Sequence, residues 1–183
     1  MDWYLIFKWL HVSFAIIWLG GAFIMLVLGA AADRARDDTD MVWIARKVAW
    51  SAERVYVPAS ILTLIFGLLM SWTGALWSNL WIILGLLGIA STIYIGIAIL
   101  TPRAKKVEAG YAAGGVTPQV LATCRELLAF AKFDITVLFV VVADMVLKPQ
   151  ADDWVLLAIM AAVILAAGAI FLRPRLSASP AAA

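Results

Sequence analysis

The sequence predicts an all-α, polytopic membrane bundle of five helices: a four-helix core followed by one C-terminal helix. Three observations predict it. Hydrophobic residues make up 65% of the chain, charged residues only 14%, and the mean hydropathy is +1.00; soluble domains sit near ~45–50% and ~25%. Five apolar runs, about 3–30, 55–73, 79–101, 127–148 and 154–172, are each near the ~20 residues that cross a ~30 Å hydrocarbon layer. Basic residues cluster on one side of those runs.

The first run follows Asp2 and contains Lys8. It is too long for the apolar region of a signal peptide, so "LGAAAD" at 28–33 is read as the end of a retained helix. The second run opens on "ERVYVPAS", with Pro58 in its first turns. Before it, Met41, Ile44, Ala45, Val48, Ala52 and Val55 recur at helical spacing. That stretch is either an amphipathic helix on the membrane surface or an extension of helix two. "SWTGALWSN" (71–79) is a tight turn into helix three. The small residues of "GLLG" (85–88), with Ser91, Thr92 and Gly96, give helix three a close-packing face. After "AAGG" (112–115), Thr117 and Pro118 offer an N-cap and first helical residue well before the apolar part of helix four. "KPQADD" (148–153) separates helices four and five. Residues 1–176 thus form one transmembrane domain, and 177–183 a disordered tail.

Arg34, Arg36, Arg46, Lys47, Arg54, Arg103, Lys105, Lys106, Arg125, Arg173 and Arg175 fall on one side of the bundle, and Lys8 and Lys148 on the other. In a bacterial-type cytoplasmic (inner) membrane this bias puts the N-terminus outside and the C-terminus in the cytoplasm. Trp3, Trp72, Trp77, Trp81 and Trp154 would form the outer aromatic belt. The expected surroundings are lipid, with other membrane subunits or further copies of the chain as possible neighbours. A net charge of +2 does not suggest nucleic acid. One cysteine, Cys124, excludes an intrachain disulfide and a Cys-rich metal cluster.

Polar residues inside the apolar runs carry the functional question. His11, the only histidine, lies roughly 12 Å below Trp3 at ~1.5 Å per residue. Its imidazole can ligate a metal or haem iron, relay a proton, or simply donate to a carbonyl on a neighbouring helix. Lys8 and Trp18 share its face; Lys8 is expected to snorkel outward. Helix four carries Lys132, Asp134, Asp144 and Lys148. Asp144 and Lys148 are spaced for a local ion pair. Both share the outer half with His11, so Asp144 is also the natural acceptor for the second N–H of a ligating histidine. Arg54 and Asp134 are expected to form a structural ion pair at the basic end, since an unpaired charge there is costly.

Three segments in order carry a family resemblance. "KWLHVSFAIIWLGGAF" (8–23), "ERVYVPASILTLIFGLLM" (53–70) and "DMVLKP" (144–149) resemble the first, second and fourth helices of the HemJ-type protoporphyrinogen oxidases and the copper-resistance D-type membrane proteins. The resemblance implies a four-helix core and haem b. His11 would be its axial and metal ligand, and Lys148 the functional lysine of helix four. It makes a haem- or tetrapyrrole-associated redox protein the leading expectation. A non-enzymatic subunit or scaffold comes second, and a copper or ion permease third.

Overall fold

The structure, a computed structural model, describes residues 2–173; the expected tail at 177–183 and Arg175 lie outside them. It consists of five helical rods: α1 (Trp3–Ala35), α2 (Asp38–Thr73), α3 (Leu80–Gly114), α4 (Pro118–Leu147) and α5 (Trp154–Phe171). No strand occurs among the described residues.

Three rods start where a side chain meets orphan backbone N–H groups. Asp2 caps α1 by accepting from the N–H groups of Tyr4 and Leu5, at 3.1 and 3.4 Å. Asp37 caps α2 through the N–H of Asp40, at 2.9 Å. Thr117 caps α4 through Val120, with Pro118 in the first turn as the sequence implied. Besides α4, which begins at Pro118 rather than 127, three rods overrun their apolar runs. α1 continues five residues past 30, α2 begins at Asp38 rather than 55, and α3 continues to Gly114 rather than 101. The amphipathic stretch before Val55 is therefore an extension of helix two.

Proline does not break α2 or α3, because each absorbs it with a wider turn. Ala52–Tyr56 is a π-helical turn just before Pro58, and Ile95–Leu100 is one just before Pro102. A proline inside a helix lacks an N–H and presses on the carbonyl one turn back. The wider π turn makes room for it.

Four rods (α1, α2, α3 and α5) are long and apolar enough to cross a membrane. α4 has the length, 30 residues, but carries Lys132, Asp134 and Asp144. It runs through the middle, packed against α1, α3, α5 and the first half of α2. The second half of α2, Val57–Thr73, packs on α1.

At the basic end the overrunning helices build a core like that of a soluble bundle. Ala32 of α1, Val42 and Ala45 of α2, Val107 of α3, and Val120, Cys124 and Leu128 of α4 are buried together. Ion pairs lace its rim. Arg46 grips Glu108 with two bonds, at 2.7 and 3.0 Å, joining α2 to α3. Arg103 reaches Glu126 at 3.4 Å, joining α3 to α4. Arg125 meets Asp33 at 3.0 Å and Asp38 at 3.7 Å, joining α4 to α1 and α2. Half-exposed pairs of this kind set geometry more than stability. Arg46 holds the Glu108 carboxyl below its ordinary range. Its small contribution is therefore present at neutral pH and lost as pH falls through that lowered value.

Val107 has no exposed surface. Val107→Ala should lower the unfolding free energy by about 2 kcal/mol, read as a lower thermal midpoint in detergent. Trp72→Ala, at a side chain 77% exposed, should leave the midpoint unchanged.

Candidate functional site

α1 and the second half of α2 lie antiparallel, and ring side chains set into glycines draw them together. A β-carbon on Gly74 would lie 2.9 Å from the Tyr4 ring, one on Gly67 would lie 2.9 Å from His11 Nδ1, and one on Gly21 would lie 2.9 Å from the Tyr56 ring. At each of these points a β-carbon would press on the ring, so the ring or the helix would have to shift. Phe66 fills the interval, stacking on Phe14 at 5.8 Å and on Phe7 at 6.4 Å.

His11 sits in this seam. Its Nδ1 is 2.7 Å from the carbonyl oxygen of Thr63 on α2. A carbonyl only accepts, so Nδ1 carries a proton; in the neutral imidazole the lone pair is then on Nε2. Thr63 is itself buried, and its hydroxyl donates back to Ala59 O at 2.8 Å. The imidazole is thus held at Nδ1 by the backbone of α2. Trp18 lies two turns further along the same face, partly buried. Lys8 is exposed, with Nζ 6.0 Å from the Tyr4 ring, as expected of a snorkelling lysine.

The structure separates the expected trio of His11, Asp144 and Lys148. His11 faces α2, whereas Asp144 faces α3, where a β-carbon on Gly85 would lie 3.4 Å from Oδ2. Neither oxygen of Asp144 has a hydrogen-bond partner among the described residues, so it is not the acceptor for His11. The carbonyl of Thr63 takes that place. The local Asp144–Lys148 pair is also not formed. Lys148 is the C-cap of α4, with φ 50, and this left-handed turn swings its side chain off the helix face. Its Nζ lies 5.3 Å from the centre of the Trp81 ring instead, a cation–π contact.

Arg54 and Asp134 do not pair either. Arg54 lies in the exposed π turn of α2 with its guanidinium 4.9 Å from the Trp50 ring, one turn back on its own helix. Asp134 keeps a buried Oδ1 without a partner. Lys132 lines a small groove at the basic end with Asp33, Arg125 and Phe171.

Thr63 and Gly67 are the site residues that the sequence alone did not single out. A signal was present. Tyr4 and His11 are seven residues apart, and so are Gly67 and Gly74. Two equal spacings, one of rings and one of glycines, describe an antiparallel seam.

The donor set bears on what His11 can hold. Among the described residues no three His, Cys, Asp or Glu side chains gather to hold a metal ion. A porphyrin brings its own four nitrogens and asks the protein for one axial ligand, so one oriented imidazole is the kind of donor it would use.

These helices define an integral membrane protein of the helical-bundle class. The chain belongs to the family described as "Predicted integral membrane protein (DUF2269)", which it matches over residues 5–149. No curated protein and no solved structure matches it. The family match covers α1 to α4 and ends before α5.

Gly67→Ala should push the imidazole off Thr63 O. His11→Ala should lower stability by about 1–3 kcal/mol, the range for a lost internal hydrogen bond that leaves a buried partner unsatisfied. In a double-mutant cycle by thermal unfolding, Gly67→Ala should cost far less on the His11→Ala background.

Proposed function

We propose that the chain is a multi-pass protein of a bacterial-type cytoplasmic membrane, N-terminus outside and C-terminus inside, in which His11 is the axial ligand of a haem b used in redox chemistry. The observation that supports this reading is the His11–Thr63 hydrogen bond. Histidines that ligate metals almost always donate their other ring N–H to a carbonyl, carboxylate or water, which fixes the tautomer and aims the ligating nitrogen. Thr63 O does so for Nδ1, Gly67 admits the ring, and Nε2 is the nitrogen left to bind iron. When bound, haem would supply one-electron chemistry. The chain's own part is to fix the imidazole and exclude water with the apolar faces of α1 and α2. Lys148 and Asp144, on the α3 side, are outside this set.

A second reading is a subunit of a larger membrane complex. It is favoured by the basic-end extension of α2, where Trp43 and Trp50 are each more than half exposed and Lys47 and Arg54 lie over their rings. That is an aromatic, basic face suited to a partner. A copper or ion permease is supported less, because no three His, Cys, Asp or Glu side chains gather among the described residues to pass an ion along.

Protein purified from haem-replete cells should show a Soret band and about one iron per chain. His11→Ala should remove the band and leave the helical content unchanged, and Gly67→Ala should weaken haem retention about tenfold. A blank spectrum from folded, haem-replete protein would overturn the haem reading and leave the subunit reading. For topology, a reporter fused after residue 183 should be active only in the cytoplasm; activity only in the periplasm would reverse the orientation.

A further inference from the structure

On the face of α4 that meets α3 and α5 there is a cavity of about 740 Å³. Its wall is apolar, with Leu87 and Tyr94 from α3, Val140 from α4, and Met160 and Ala161 from α5 among its residues. The exceptions are the Ser91 hydroxyl, which donates to Leu87 O at 2.8 Å, the Tyr94 phenol and Asp144. Asp144 is one of the lining residues, is 2% exposed, and has no hydrogen-bond partner on either oxygen among the described residues. No basic side chain lines the cavity among the described residues. The nearest cation along the helix, Lys148, lies over Trp81 instead.

A carboxyl in such a place is unusual. Buried charges are paired or coordinated, and ionisable groups inside a membrane mark ligand or ion sites. Its two oxygens offer about four acceptor positions. Apart from the Ser91 hydroxyl and the Tyr94 phenol the cavity wall is hydrocarbon, and the volume falls in the range of sites for small organic ligands. The missing partner is therefore a cation that brings its own apolar body and at least one N–H.

The geometry points to a binding site for lipophilic amines, with Asp144 receiving the ammonium and the walls of α3, α4 and α5 receiving the apolar body. The site is separate from His11, which faces α2. Its third wall, α5, lies beyond the residues that match the family.

The test uses the full chain in phosphatidylcholine nanodiscs, whose quaternary headgroup donates no N–H, and a radiolabelled tertiary amine, N,N-dimethyl-1-naphthylmethylamine. Saturable binding of one amine per chain is expected. Asp144→Asn should weaken it about 30-fold or more, the effect of removing one partner of a buried charged pair. Ala161→Trp, which fills the cavity and leaves the carboxyl in place, should also abolish binding and guards against misfolding of the Asp144 variant. His11→Ala should bind the amine normally. The uncharged analogue 1-ethylnaphthalene should not show saturable binding, and nanodiscs containing phosphatidylethanolamine should give the same affinity for the amine. Binding that is equal in wild type and Asp144→Asn overturns the proposal. So does Asp144-dependent binding of naphthoquinone in place of the amine, which would make the carboxyl a donor to carbonyls. Loss of amine binding in phosphatidylethanolamine would assign the cavity to lipid and also overturn it.

Discussion

A hydrocarbon layer offers no hydrogen bonds, so every polar group within it must find its partner in the protein. This constraint organises the membrane half of the molecule. His11 meets it with the carbonyl of Thr63. Ser60, Thr63 and Thr92 meet it by donating to carbonyls of their own helices. Lys148 leaves the helix and lies on an indole. Asp144 and one oxygen of Asp134 remain unmatched, and these exceptions carry the most information.

Away from the apolar residues the balance changes. Where α1 to α4 overrun their apolar runs, water can solvate charge, and the helices pack as a soluble bundle would. Small aliphatic residues fill the centre and arginine–carboxylate pairs span neighbouring rods. The molecule thus joins two kinds of packing. The basic end is held by a conventional core. The opposite half is held by close approach at glycines, namely Gly67 and Gly74 against rings and Gly85 and Gly88 against Met145 and Val141.

Much of the fold was legible in the sequence because apolar run length and cap chemistry are local signals. The number of helices, the turns at 74–79 and 148–153, and the start of α4 at Thr117–Pro118 follow from them. The overrun of α2 was legible only as one of two alternatives, because its amphipathic spacing fits a surface helix as well as an extension. The π turns that carry α2 and α3 through Pro58 and Pro102 depend on tertiary packing that overrides proline's tendency to end a helix. The site was less legible. His11 stood out as the only histidine, but its partner is a backbone carbonyl, which every residue possesses and no sequence marks. The expected grouping with Asp144 and Lys148 rested on depth counted along the helices, and the residues turn to different faces. Depth follows from counting residues, whereas facing follows from how helices rotate against one another. Arg54 and Asp134 show the same limit: complementary charges, placed at the same end by counting, turn to different neighbours.

The central claim is that α2 fixes the tautomer and direction of a single imidazole on α1. Because the chain has one histidine, nitrogen NMR of histidine-labelled protein in nanodiscs reads it without assignment. The account predicts, in cofactor-free protein, a proton on Nδ1 in a strong hydrogen bond and an unprotonated Nε2. Carbon-13 at the Thr63 carbonyl should respond to His11→Ala. A proton on Nε2, or a Thr63 carbonyl indifferent to His11, would contradict it.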